Sequence, residues 1–599
     1  MTRNENQGDG IDGLNLLQEE ALLAEGHCAV LAGPGSGKTR VLVSKVAHLL
    51  RHRVAGPRGV ACITYNNECV RELRKRFVGT GLRPGGQLFL GTVHSFCMST
   101  IIGPFGRLFR EDISAGLNIA SSQDVTNGIA EALASLKIRS NASDWREPIN
   151  LHRRTRLDGG YQDEQIQRVA DAYESALHRR GLIDFDDMVL IGLDLIRTQT
   201  FVREALEARF PYLVVDEYQD LGYPLHRIVR EIMANTSITV FAVGDEDQSI
   251  YGFAGADPMY LRELADDSEV HSVRLDTNYR CAQRTIDGSE IALAPPEPRG
   301  YKSARDDTEG DLLLIEDPGG LASQATTIAD GIIPALNERG IPNGQIAILY
   351  VDYMDVPALS RALTYAGIEF AGERDRRYPR TPFTRWLEDV AAWCTAYPET
   401  TLDPAFEDIY QEWVQLRTDA NVSVGWADLA DRSQFHAFLQ LLSNADMPLA
   451  EWLDRLNDAI GVTTYLANHP RHPQGLDNWK VIRSQCELGG SLEKLTLSNF
   501  AIGRGHPRVV TLTTLHSSKG REYDAIVIPG LEDGRLPRYN APVPEGVAEA
   551  RRVLYVGITR ARLIVYLMYS GWYEIPSGRH FEDGPSRFVL ELLENLGNL

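Results

Sequence analysis

The residues best suited to chemistry form one run, Ala32-Gly33-Pro34-Gly35-Ser36-Gly37-Lys38-Thr39, set between an apolar stretch at 28–31 and a helical pattern. Gly33, Gly35 and Gly37 let backbone N–H groups turn inward around phosphate oxygens, and the positive end of the following helix reinforces the cradle. At this spacing Lys38 reaches β- and γ-phosphates, and the Thr39 hydroxyl can ligate Mg²⁺. A second run, Val214-Val215-Asp216-Glu217, suits a central parallel strand whose carboxyl end faces those phosphates. Asp216 would hold Mg²⁺, and Glu217 would orient or deprotonate the attacking water. An Asp-Glu pair says little by itself; downstream of a phosphate loop it gains its meaning. In a third run, 243–251 (VGDEDQSIY), Gln248 stands at a strand end where it can sense a γ-phosphate. The chemistry is hydrolysis of a nucleoside triphosphate.

Such groups need a sheet edge to hold them. Short β-branched runs alternate with amphipathic stretches, the pattern of βα units around a parallel sheet. Candidate strands lie at 28–32, 60–64, 212–215 and 238–243, then at 346–350, 509–515, 525–529 and 563–568. The fold class is therefore α/β, with two parallel-sheet domains, each interrupted by a mainly helical insertion. The expected division is 1–97 with 181–275 for the first α/β domain and 98–180 for its insertion. The second α/β domain takes 276–394 with 505–599, around a reduced insertion at 395–504. Within the first insertion apolar residues recur at helical spacing over 165–180. Residues 294–300 (APPEPRG) read as a surface loop.

At 599 residues the chain is too long for one core, and a prior of about 150 residues per domain suggests roughly four. A hydrophobic content of 43% and charged content of 24% are ordinary for a globular protein. No apolar run approaches the roughly 20 residues that span a bilayer. The N-terminus lacks a signal-peptide pattern, so the cytoplasm is the default and no membrane partner is expected. Seven scattered cysteines without a C-x-x-C pair argue against a zinc site, an iron–sulfur cluster or a disulfide framework. The net charge of −21 is not that of a protein coating DNA, yet it leaves room for a narrow groove that holds a few nucleotides.

Six segments, two of them containing residues already described, bring a family into view. They are 14–18 (LNLLQ), 216–220 (DEYQD), 243–251, 278–280 (NYR), 514–522 (TLHSSKGRE) and 555–561 (YVGITRA). In sequence and order they resemble the superfamily 1 helicases of the UvrD/Rep/PcrA type, across the chain from Leu14 to Arg562. The resemblance implies RecA-like α/β domains, ATP and Mg²⁺, and movement 3′→5′ along single-stranded DNA with unwinding at duplex junctions. It assigns Gln18 to adenine, with Tyr279 stacking on the base, Arg40 nearby and Glu522 on the ribose. Arg280 and Arg560 would reach from the second α/β domain toward the γ-phosphate. Arginines crossing an interdomain cleft stabilise transition-state charge and close the cleft only around ATP, so hydrolysis becomes domain motion.

The same resemblance outlines a strand track: Tyr65, Thr92, His94 and Phe253 from the first half, Thr514 and His516 from the second, with Lys519 on a phosphate. Aromatic stacking ignores sequence, as a motor requires. Phe253 replaces a tryptophan of the family. Gly252 and Ala254 stand where arginines are usual, Glu68 for a lysine and Val351 for an arginine, so the track is short of positive charge. Basic clusters occur at 152–156 (HRRTR), 178–180 and 374–380 (RDRRYPR). The first lies where relatives touch duplex and is the favoured duplex contact.

Set against the family, the second insertion is expected to be reduced, and no partner-binding tail or nuclease domain is expected after Arg562. Two functions remain open: an independent helicase, or a DNA-dependent ATPase subunit that gates or loads a separate nuclease or repair partner in repair or anti-phage defence. A catalytically dead scaffold is excluded by Lys38, Thr39, Asp216, Glu217, Gln248, Arg280 and Arg560 together. Other phosphate-loop enzymes, such as kinases and GTPases, lack the second α/β domain with its arginines.

Overall fold

The computed structural model describes residues 13–65, 67–109, 118–156, 163–252, 255–305, 310–372, 378–379, 381–396, 406–419, 429–467, 469, 474–501, 509–541, 544–575 and 577–596. Two six-stranded sheets organise it. The first runs Leu88–Thr92, Val60–Thr64, Tyr212–Val215, Thr239–Gly244, His27–Ala32, Val270–Leu275, with every neighbouring pair parallel. The second runs Asp311–Glu316, Ala561–Tyr569, Tyr523–Ile528, Ile346–Tyr350, Val510–Thr514, Phe370–Gly372, again all parallel.

All eight strands expected from the sequence lie inside these sheets, and the four that were not foreseen are the four edges. Interior strands are buried on both faces and read as continuous apolar runs: every residue of Val60–Thr64 and Ile346–Tyr350 is buried. Val270–Leu275 (VHSVRL) instead mixes three buried with three exposed positions, and Phe370–Gly372 is three residues long. Such edges carry a weak signal.

Cores between the elements shift two of the expected boundaries. Residues 97–106 form a helix with π-type turns whose Cys97, Ile101 and Ile102 pack in the first α/β core with Met188 and Ile191. The first insertion has its own core of Val125, Ile129, Leu133, Ile149, Val169 and Tyr173, on the helices Ser122–Ser135, Ala142–Thr155 and Glu164–His178. The boundary at 98 therefore moves to beyond Gly106. Likewise the helix Pro382–Ala396 buries Phe383, Trp386, Leu387, Val390 and Trp393 in the second insertion's core, beside Trp413, Trp452 and Trp479. The boundary at 395 moves to about residue 381, because these apolar residues face other helices and no sheet. Among the described residues no helix is long and apolar enough to cross a membrane.

Candidate nucleotide cleft and nucleic-acid track

Three neighbouring strands of the first sheet deliver the nucleotide-site residues. The phosphate loop follows His27–Ala32, Asp216-Glu217 follow Tyr212–Val215, and Asp245 to Gln248 follow Thr239–Gly244. Carboxyl ends of adjacent parallel strands are where open α/β sheets bind ligands. In the second sheet, Glu522 and Arg560 immediately precede two paired strands, Tyr523–Ile528 and Ala561–Tyr569. Between the units lies a cleft of about 850 Å³. Its lining includes Gly33, Gly35, Gly37, Lys38, Thr39, Arg40, Asp216, Glu217, Gln248, Tyr279, Arg280, Glu522 and Arg560. Gln18 and Ser36 stand behind it, both buried.

The loop is shaped by close neighbours. Gly35 and Gly37 have φ of +70° and +85°, a region costly for residues with a Cβ. A Cβ on Gly37 would lie 2.6 Å from Gln18 Nε2, and one on Gly35 would lie 2.6 Å from Arg280 Cβ. Gln18 Nε2 donates to Ser36 O at 2.9 Å, and its Oε1 accepts the Asn15 N–H at 3.1 Å. Asn15 Nδ2 in turn donates to the Tyr279 hydroxyl at 3.0 Å. The pair expected at adenine is thus joined through Asn15. Tyr279 stays 42% exposed, with a face open for stacking.

Lys38 donates to Ala32 O at 2.9 Å and stands 3.8 Å from Asp245, and burial lowers its pKa. Asp216, buried, and Glu217, half-buried, are adjacent carboxyls that their surroundings push apart. Burial and the Glu217 charge raise Asp216 to about 7. Glu217 is also raised by burial, but Lys38 and Lys519 outweigh this and hold it below its ordinary value. Glu217 adopts φ 51°, ψ 46°, a left-handed conformation costing about 1 kcal/mol in a non-glycine residue. The strain turns the chain directly after the strand. Among the described residues no group of three or more His, Cys, Asp or Glu could hold a metal by itself. That is compatible with Mg²⁺, which takes one or two carboxylates and completes its shell with phosphates and water. Thr39 and Asp216, both on the cleft wall, fit that role, and a cation would relieve the crowding of the two carboxyls.

Across the cleft, Arg560 is buried and donates to Gln248 Oε1 at 3.0 Å, while Gln248 Nε2 donates to Asp245 Oδ2 at 2.5 Å. Arg280 does not share that position. It pairs with Glu522 and donates to Thr559 O at 3.2 Å. Glu522, expected on a ribose, is held in this state by Arg280 and by Arg562 at 3.2 Å. Helices of the second insertion complete the wall through Arg385, Asp389, Asp408 and Glu412; Glu412 lies 3.2 Å from Arg71.

Of the track residues, His516 lines the cleft, and Tyr65 adjoins it through Tyr251. Tyr65 stacks on Tyr251, with centroids 5.4 Å apart. The Thr92 hydroxyl accepts from Ser95 N and caps a short helix, and His94 meets Phe185 edge-on at 5.6 Å. Thr514 accepts from Ser517 N at 3.0 Å, and His516 lines the nucleotide cleft. Phe253, Ala254 and residues 374–377 and 380 lie outside the described residues. Two expectations are corrected. Lys519 is not free for a phosphate, because its ammonium is bonded to Asp220. The 152–156 cluster offers less free charge than its sequence suggests: Arg153 is fully buried on Asp184, Asp187 and Glu174, while Arg154 and Arg156, 30% and 31% exposed, pair with Asp186 and Glu174.

Several residues escaped the sequence reading. Asp220, the last acid of DEYQD, and the exposed Phe185 stood inside legible context. Arg299 did not: it leaves the 294–300 loop to grip Asp247 through two hydrogen bonds of 2.7 and 2.8 Å. Arg562 stood next to a motif without a role.

Fold and site together define a phosphate-loop ATPase with two parallel-sheet units sharing one nucleotide cleft. Residues 14–269 match the model of the UvrD/REP helicase N-terminal domain, and 477–571 that of the UvrD-like helicase C-terminal domain. The chain is 26% identical to the ATP-dependent DNA helicase PcrA of Leuconostoc citreum, over 98% of this chain and 85% of that one. PcrA of Bacillus subtilis is also 26% identical, over 98% and 87%. UvrD1 of Mycobacterium bovis gives 26%, over 98% and 86%. The chain belongs to the UvrD/Rep helicase family.

Proposed function

We propose that this UvrD/Rep-family ATP-dependent DNA helicase moves 3′→5′ along single-stranded DNA and unwinds duplex at junctions. The observation that carries the reading is the Arg560–Gln248 contact, a buried cation of one sheet unit meeting a polar group beside the phosphate loop of the other. Lys38 and the loop amides would bind the β- and γ-phosphates, and Thr39 and Asp216 would hold Mg²⁺, which neutralises developing phosphate charge when bound. Glu217, kept ionised by Lys38 and Lys519, is suited to take a proton from the attacking water. Arg560 would stabilise the transferred phosphoryl group and then lose its anion on product release, letting the units part. Tyr65, Tyr251 and Phe185 give this motion π faces on which to hold bases. The matched relatives are named as ATP-dependent DNA helicases, in line with DNA as the polymer.

Direction and unwinding are tested with duplexes carrying a single-stranded tail at one end only. ATP-dependent separation of the 3′-tailed substrate, with the 5′-tailed one left intact, is the expected result. Separation of the 5′-tailed duplex alone would reverse the direction. Separation of neither, with ATP hydrolysis intact, would reduce the activity to translocation.

A further inference from the structure

Lys519 belongs to the second sheet unit, in the loop after Val510–Thr514, yet its bonds run into the first. Its ammonium donates to both carboxylate oxygens of Asp220 at 2.6 Å and to the Gln248 carbonyl at 2.6 Å. All three of its protons are therefore engaged. The side chain is 9% exposed and that of Asp220 is 3% exposed, so this is a buried ion pair across the interface between two units. Such a pair needs close geometry to offset desolvation and loses much when one partner is withdrawn.

What the pair touches gives it direction. Asp220 closes the short turn Tyr218–Asp220, which starts directly after Glu217. Gln219 in that turn donates to Glu217 Oε2 at 2.5 Å, and its Oε1 accepts the Asp245 N–H at 2.9 Å. The turn thus positions the water-activating carboxylate and the segment bearing Gln248. On its other side the Lys519 ammonium lies 5.3 Å from the Tyr251 ring centroid, within cation–π range, and Tyr251 stacks on Tyr65. One charged group therefore meets the Glu217 turn, the Gln248 backbone and the aromatic pair of the strand track.

We infer that Lys519 and Asp220 form an interdomain positioning pair that couples strand binding at Tyr65–Tyr251 to ATP hydrolysis at Glu217. A base entering the aromatic pair shifts Tyr251 against Lys519, and the ammonium carries that shift to the turn and to Gln248. Both residues line the nucleotide cleft, and they act through other groups, Lys519 through the turn and Gln248, and Asp220 through Lys519. Arg552 and Glu549 brace the same segment, through Ser249 O at 2.6 Å and Gly252 N at 3.1 Å; Arg552 reaches the Glu217 turn only through Ser249, whose Oγ donates to Gln219 O at 3.1 Å, whereas Lys519 bonds the turn directly.

The inference rests on the strand-coupled reading above. The experiment measures kcat and KM for ATP with and without oligo(dT) for wild type, Lys519→Met, Asp220→Asn, the double variant and Lys519→Arg. Burial already pushes Asp220 to about 7, so it can accept a proton and remain buried when Lys519 is removed. The expected result is a stimulation ratio at least tenfold lower in each single variant, with KM for ATP within about threefold of wild type. The double variant should lose no more than either single, because the two act as one unit. Lys519→Arg should keep stimulation within about threefold, and this comparison holds even where Asp220→Asn fails to fold. Unchanged stimulation in Lys519→Met, or additive losses in the double variant, would overturn the pair. A wild-type rate indifferent to oligo(dT) would overturn the strand-coupled reading itself and the inference with it.

Discussion

Replacing Arg560 by methionine should abolish hydrolysis without weakening the nucleotide-free fold. Arg560 is 2% exposed. Its Nε donates to Val556 O at 3.0 Å and its Nη2 to Gln248 Oε1 at 3.0 Å, both neutral acceptors. Among the described residues no carboxylate stands within salt-bridge distance. Burial, followed by the nearby Arg280 charge, draws its pKa well below the ordinary arginine value, to about 10. It stays charged at neutral pH, but the difference corresponds to about 3 kcal/mol of unfavourable environment. A γ-phosphate is the anion that would relieve it, most of all as charge develops in the transition state. Arginines in this role contribute 10³–10⁵ in rate, about 4–7 kcal/mol. Methionine keeps much of the volume and removes the charge. The assay pairs steady-state ATP hydrolysis with thermal melting of the nucleotide-free protein. The expected outcome is a kcat at least 10³-fold lower with a melting temperature equal to or above wild type, since removing an uncompensated buried charge offsets the lost hydrogen bonds. A kcat within tenfold of wild type would refute the role, and a steep fall in melting temperature would show a structural cation instead.

Three more outcomes follow from particular residues. Tyr65→Ala should weaken binding of a single-stranded oligonucleotide by about 5- to 150-fold, the equivalent of 1–3 kcal/mol of stacking, and fluorescence anisotropy that finds equal affinity would remove Tyr65 from the track. Binding should also depend less steeply on salt than that of Bacillus subtilis PcrA, by roughly 0.7 in log–log slope for each missing phosphate contact; equal slopes in a side-by-side titration would contradict the loss of charge at Gly252, where the backbone instead meets Glu549. His226 accounts for a stability change with acid. Burial, then Arg230 and Arg227, lower its pKa from 6.5 to about 4. Between those values the unfolded chain binds a proton that the folded chain refuses, so stability falls as pH drops, by about 1.4 kcal/mol per unit, and levels off below 4. Denaturant melts of wild type and His226→Gln should therefore converge as pH falls from 6.5 toward 4, and a constant difference would be the contrary result.

The phosphate loop, the acidic strand end and the eight interior strands were legible because each is a local pattern: a spacing, or an apolar run. Of the four unforeseen edge strands, Val270–Leu275 has its apolar run broken by exposed positions and Phe370–Gly372 is only three residues long, whereas Leu88–Thr92 and Asp311–Glu316 do carry short apolar runs. The domain boundaries slipped for a different reason. Helical periodicity locates the helix at 382–396, but only the packing of Trp386 on Trp413, with centroids 5.5 Å apart, shows which core it serves. Long-range ion pairs were the least legible of all. Nothing near Lys519 in sequence announces Asp220, 299 positions away. Arg153 reads as part of a basic cluster until its three carboxylates are seen. Charge that looks available in a sequence is often already neutralised in the fold.

The central claim is that ATP hydrolysis in this cleft is driven by single-stranded DNA. Its most direct test is the steady-state rate of ATP hydrolysis with and without oligo(dT), using Glu217→Gln as the control. Strong stimulation of the wild type, absent from the variant, is the predicted result. An equal wild-type rate with and without DNA would contradict the claim, for the aromatic track and the phosphate loop would then act independently.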